Sequence, residues 1–452
     1  MQMMKRRYRS GAVGTLGLGL LALPMVAQTT TPAMTTLKAE TSNNTSAADS
    51  FPGWMNGMSK GGNVSPVPIP SMLSTGTKTR YISHFMPNFS TACGAAEKCE
   101  SHRLVGYESN SEEQVAKQLA DMQRRGFTVV WMDWFGPESK HHDGVGIKMM
   151  HESEKMQKAG VEWNFVIQPD HGSTKGCSDE ACTTKKLIEV LDYDYKTYEG
   201  SPAYLRWKGR PVVPFFWNSN SPVDWAEVKR KTPGNPLFVF LASAGFKNPE
   251  ADGVFFWDKP EGPRDIGLHA MDEFYETAAQ AKDKLIVGSA YAGFDDRMAS
   301  WGKQKIIPQQ CGMTWIQTMA ESLKYEKDSG SPLPFLQVVT WNDYEEGTSV
   351  EPGIANCVEG IPAQVKDGKL SWSVVFGKDK DGATGNEATI AYYRVLASTE
   401  GDKLQPLRLV PTKEKHELDL TPFHLKSGQK VYVQAVGQSM IQNHLSDAVT
   451  AP

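Results

Sequence analysis

Between residues 78 and 357 the chain repeats one pattern, a short apolar run followed by a segment of helical periodicity. The runs are RYISHFMP, FTVVWMDW, VEWNFVIQPDHG, RPVVPFFW, LFVFLASAG, GVFFWDKP, LIVGSAYAG and LQVVTWND. Segments such as SEEQVAKQLADMQRRG and MTWIQTMAESLKYEK repeat apolar positions at helical spacing, and the first of them stops at a glycine. Eight runs alternating mostly with helices over about 280 residues predict an α/β chain folded as a (β/α)8 TIM barrel. A doubly wound open sheet is the alternative, but no GxGxxG loop follows any of the runs.

The flanks read differently. Lys5, Arg6, Arg7 and Arg9 precede the apolar stretch GAVGTLGLGLLALPMVA, so residues 1–27 read as an export signal, too short and broken to span a membrane. Residues 28–77 are rich in Thr, Ser, Asn, Gly and Pro and read as a flexible leader; Asn44 and Asn63 lie in glycosylation sequons. After Cys357 helical periodicity stops, and residues 358–452 read as a small all-β sandwich. The 6 cysteines suit an oxidising compartment, secreted or periplasmic. Their spacing suggests the pairs Cys93–Cys99, Cys177–Cys182 and Cys311–Cys357. None has zinc-site CxxC spacing, and no cofactor or metal is called for.

A formal net charge of -4 argues against nucleic acid or an anionic membrane as partner. With 12 Trp, 14 Tyr and 18 Phe, the chain carries many rings able to cover the apolar face of a sugar. Barrel active sites lie at the carboxyl ends of the strands, a rule that yields a short list. Asp133 and Trp134 end the second run, Asp170 and His171 the third, and Trp217 the fourth. Trp257 and Asp258 end the sixth, Tyr291 the seventh, and Trp341, Asn342 and Asp343 the eighth. Carboxylates mixed with rings are what glycoside hydrolysis requires.

The eighth run continues as TWNDYEEGTSVEPG, residues 340–353. If the chain turns helically there, Asp343 and Glu346 share a face at spacing i, i+3, and one can donate a proton while the other stays ionised. Glu351 is a candidate substrate contact, whereas Glu345 reads as a solvated loop residue. Asp295 and Asp296 read as partners of Arg297. A non-catalytic sugar-binding surface protein on a degenerate barrel is the competing reading, and a metal-dependent deacetylase or lyase a third.

TWNDYxE resembles the strand-8 motif of glycoside hydrolase family 71, the α-1,3-glucanases or mutanases. WNxxxEGTxxEP resembles that of family 99, the endo-α-mannosidases. The resemblance implies an α-linked glucan or mannan substrate and a catalytic pair on Asp343 and Glu346. Asp343 and Tyr344 favour family 71, which implies inversion, with Asp343 as base and Glu346 as acid. Gly347-Thr348 and Glu351-Pro352 favour family 99, which retains configuration. The C-terminal segment resembles a fibronectin type III module on Trp372, YYRVLAS and LDLTPFHLKSGQKVYVQAVG, which implies a spacer or weak binder.

Overall fold

The computed structural model describes residues 63–73, 78–89, 107–217, 222–259, 265–298, 302–399 and 403–451. The export signal, most of the leader and Cys93 and Cys99 lie outside the described residues.

All eight apolar runs form strands: β1 (Arg80–Phe85), β2 (Val129–Trp134), β3 (Asn164–Pro169), β4 (Arg210–Phe215), β5 (Leu237–Leu241), β6 (Gly253–Phe255), β7 (Leu285–Tyr291) and β8 (Phe335–Val339). They pair in parallel in the order β3-β2-β1-β8-β7-β6-β5-β4. A short strand, Arg206–Trp207, adds antiparallel to β4. The last strand therefore returns beside the first and the sheet curls. Its edges approach each other, with parallel bridges at Phe165–Tyr204 and Asp170–Phe216.

Helices α1 (Glu112–Arg124), α2 (Lys140–Lys158), α3 (Glu180–Asp194), α4 (Trp225–Lys231), α5 (Leu268–Gln280) and α6 (Met313–Ser329) connect the strands. The Ser111 hydroxyl caps α1 by accepting the Gln114 N–H at 3.4 Å. Gly126 ends it at φ 95°, where a Cβ would sit 2.7 Å from the Pro70 ring. Residues on alternate sides of the pleat serve different layers. Val129 and Trp131 of β2 pack inside the curl with Val166, Val212 and Phe255. Val130, Met132 and Trp134 pack outside, against the helices.

Part of the expected leader is structured. Val64, Ile69 and Leu73 are buried, Ser65 N–H donates to the Ile441 carbonyl at 2.9 Å, and Ile69 N–H to that of Arg125 at 2.8 Å. Three apolar residues among the prolines carry this packing, which the segment's bulk composition conceals. The sequon residue Asn63 is fully buried.

The C-terminal region has a core of its own, built on Leu370, Trp372, Tyr393, Val395 and Val433. One sheet joins β9 (Ala363–Lys366), β10 (Lys369–Trp372) and β13 (Glu417–Asp419). The other joins β12 (Leu404–Pro411), β11 (Ile390–Ser398), β14 (Lys430–Gly437) and β15 (His444–Leu445), with β16 (Val449–Thr450) also on β14. Met440 and Ile441 instead join the core beneath the helices of the curled sheet. Disulfides join Cys177 to Cys182 and Cys311 to Cys357, as the spacing predicts. Among the described residues no helix is long and apolar enough to cross a membrane.

Candidate active site

The strand-8 loop is built from the backbone outward. Asp343 N–H donates to the Thr340 hydroxyl at 2.8 Å, and that hydroxyl pairs with Thr348 Oγ1 at 2.8 Å. Thr348 N–H returns to the Asp343 carbonyl at 3.1 Å, and Glu351 N–H to the Trp341 carbonyl at 2.8 Å. Residues 344–347 form the expected turn. The Asp343 carboxylate closes it by accepting the Glu346 N–H at 2.9 Å. Asp295 N–H holds the Glu346 carbonyl at 2.7 Å. Gly347, at φ 63°, lies against Asp295, where a Cβ would be 3.2 Å away.

Around this turn the curl gathers carboxyl groups. Asp133 and Asp343 are buried; Asp170, Asp258 and Glu346 are partly exposed. Burial, then the charges of Asp170 and Asp343, hold Asp133 well above the usual carboxylate range. Asp170 is also raised by burial, opposed by the Gly172 N–H it accepts at 2.8 Å. Asp258 is pushed up to about 8 by burial and then by Asp343, and its Oδ2 is buried with no hydrogen-bond partner among the described residues. Burial raises Asp343 to about 6, the N–H of Glu346 opposing the shift. Glu346 rises furthest of the two, to about 9, through burial and then the charges of Asp343, Asp258 and Asp296. So crowded a set cannot all ionise at neutral pH. Both members of the pair are raised, Glu346 the further, and an inequality in this direction is what an acid/base pair needs.

Residues 179–373 match glycosyl hydrolase family 71. The family 71 match takes in β4 to β8 and both members of the pair. No curated protein matches the chain. Among solved structures, two of a GH99 endo-alpha-mannosidase from Bacteroides thetaiotaomicron are similar at 18–19 % identity and TM-score 0.47. They cover 61 % of this chain and 87–88 % of theirs. An FMN-binding beta-glucuronidase from Facaelibacterium prausnitzii L2-6 is similar at 9 % identity and TM-score 0.41, covering 86 % of this chain and 60 % of that one.

The pleat divides the other predicted residues. Trp257 faces inward, edge-on to His84 and to Phe216 with ring centroids 4.8 Å away in each case. Trp134 faces outward and is buried, stacked on Tyr193 at 6.0 Å. Trp217 is likewise outward, its indole N–H on the Pro169 carbonyl at 3.2 Å and its ring packed on Trp225. His171 is exposed, its ring tilted against that of Trp217 with centroids 4.5 Å apart. Tyr291 is fully buried and donates to the Ile266 carbonyl at 2.7 Å. Trp341 lies fully buried under the Arg125 guanidinium, 4.6 Å away. Trp134, Trp217, Tyr291 and Trp341 are thus packed in the interior, the alternative to a sugar platform that a strand-end ring always carries. Trp217→Ala is expected to cost about 3–5 kcal/mol of stability, read as a lowered Tm, because it opens a cavity in the helix layer.

Asn342 and Glu351 both brace the loop. The Asn342 amide accepts the Met86 N–H at 2.8 Å and donates to the Met86 carbonyl at 2.9 Å, tying the loop after β8 to the segment that follows β1. The Glu351 carboxylate accepts from Gln118 at 2.8 Å and from Tyr107 and Tyr344, each at 2.9 Å.

Asp296 departs from the sequence reading. Asp295 pairs with Arg297 at 2.7 Å as expected, but Asp296 does not join it. Asp296 is buried, accepts the N–H groups of Lys303 and Lys305 at 2.8 and 2.7 Å, and raises Glu346. The alternating directions of neighbouring side chains were the available signal. Beneath the carboxyl groups, Gln168 Oε1 joins His84 Nε2 at 2.7 Å and also takes the Trp131 indole N–H. Burial lowers His84 to about 4, so it is neutral at pH 7. No group of three or more His, Cys, Asp or Glu among the described residues is arranged to hold a metal.

Proposed function

We propose that the chain is a glycoside hydrolase acting on α-linked glycan, its curled sheet closing as a (β/α)8 barrel. The observation that carries this reading is the single turn that sets Asp343 beside Glu346 and separates their acidities, to about 6 and about 9. The family 71 match over that turn supports it. The finer assignment is a secreted, inverting endo-α-1,3-glucanase. Glu346 protonates the glycosidic oxygen as the bond to the anomeric carbon breaks. Asp343 takes a proton from the water that attacks the opposite face. That geometry requires carboxyl groups roughly 6.5–9.5 Å apart. Asp133, Asp170 and Asp258 bind sugar hydroxyls, and Trp257 covers an apolar sugar face.

The EGTxxEP element favours a second reading, a retaining endo-α-mannosidase-like enzyme, separable by the anomer released first. We also carry the C-terminal sandwich as a fibronectin type III-like module; its two sheets sharing one core support that. The apolar N-terminal stretch and the disulfides support export.

The test is incubation with a panel of α-glucans and α-mannans, measuring new reducing ends. Release from α-1,3-glucan is expected. Binding without release from any member would overturn the hydrolase reading in favour of a sugar-binding protein.

A further inference from the structure

A cleft lies one residue from the proposed acid. It has a volume of about 200 Å³ and runs between the strand-8 loop, the segment after β7 and the C-terminal region. Gly347 forms one lip, Phe294, Ile307 and Pro308 the apolar floor, and Lys380 and Asp381 the far wall. Drug-sized ligands occupy pockets of roughly 300–1,000 Å³, so this cleft is sized for a single ring.

Its far wall is held in place rather than loosely apposed. The Asp379 carboxylate accepts the N–H groups of Asp381 and Ala383 at 3.0 and 2.9 Å, and that of Cys311 at 3.2 Å. The Cys311–Cys357 disulfide ties the same place a second time. Lys380 forms an ion pair with Asp295, whose own N–H holds the Glu346 carbonyl at 2.7 Å. The wall contributed by the C-terminal region is thus mechanically continuous with the catalytic turn. Lys380 nevertheless stays 59 % exposed, which leaves ammonium hydrogens directed to solvent.

We propose that this cleft is a subsite for one sugar residue of the substrate chain, beyond the linkage that is cleaved. A pyranose offers an apolar face to Phe294, Ile307 and Pro308, and hydroxyls to the Lys380 ammonium and the Asp381 carboxylate. Charge-assisted hydrogen bonds to hydroxyls suit a neutral, polar ligand. The C-terminal region then contributes directly to substrate length recognition. This rests on the glycosidase reading above.

The experiment uses the full chain and α-1,3-linked gluco-oligosaccharides of two to seven units. For the parent, kcat/KM is expected to rise with length until the cleft is filled. In Lys380→Ala and in Asp381→Ala the ratio of kcat/KM for the longest to the shortest oligosaccharide is expected to fall about tenfold, matching about 1.4 kcal/mol. Lys380→Arg is expected to restore most of it. Calorimetric binding of the same series to Glu346→Gln separates the two claims. Length-dependent binding that Lys380→Ala abolishes supports the subsite even if no hydrolysis occurs. Hydrolysis with a length ratio unchanged by both variants shows an incidental groove and overturns the subsite alone. Absence of both binding and hydrolysis overturns both.

Discussion

Glu346→Gln is expected to lower kcat/KM on α-1,3-glucan by about 10²–10⁴-fold, the usual contribution of a positioned general acid. The fold should survive. Burial and the neighbouring charges of Asp343, Asp258 and Asp296 keep Glu346 protonated up to about pH 9, so glutamine replaces a neutral group with a neutral isostere. The N–H of residue 346 still donates to Asp343, and its carbonyl still accepts from Asp295. A dinitrophenyl α-glycoside, whose leaving group needs no proton, should be cleaved by the variant far better than the natural glucan. Parallel loss on both substrates would remove Glu346 from the acid role. A matched thermal melt excludes misfolding as the cause.

Asp343→Asn is expected to give a comparable loss, about 10²–10⁴-fold, for a different reason. Asparagine keeps the side-chain oxygen that accepts the Glu346 N–H at 2.9 Å, so the turn is retained. What disappears is the carboxylate proposed to take a proton from water. It also removes one of the charges that raise Glu346. The alkaline limb of any residual activity should therefore move to lower pH. Azide, a nucleophile needing no base, should restore part of the rate. A variant as active as the parent would leave the base role vacant.

The alternation of apolar runs and helical segments was enough to place the eight parallel strands of the curled sheet, because burial on both faces leaves runs that few other structures produce; the short antiparallel strand Arg206–Trp207 has no such run. The i, i+3 placement of Asp343 and Glu346 was legible for the same kind of reason. A strand leaving a sheet has to turn, and an Asp at the bend closes that turn through its own carboxylate. What was not legible was direction. A strand end presents two consecutive side chains to opposite faces, and sequence alone does not say which one is inside. Asp133 faces in while Trp134 faces out, and Trp217 follows Trp134. Beyond β8 the pleat no longer governs, and Trp341 turns into the layer under Arg125. Glu351 read as a substrate contact because an acid near a catalytic pair is ambiguous until its partners are seen. Those partners, Tyr107 and Gln118, lie more than 200 residues earlier in the chain.

The central claim is that Asp343 and Glu346 divide the roles of base and acid. The pH dependence of kcat/KM tests it most directly. Asp343 must be ionised, so activity should rise as pH passes through about 6. Glu346 must be protonated, so activity should fall as pH passes through about 9. In Glu346→Gln, assayed on the dinitrophenyl α-glycoside, the rising limb should remain and the falling limb should vanish. A falling limb that persists unchanged in that variant would contradict the assignment.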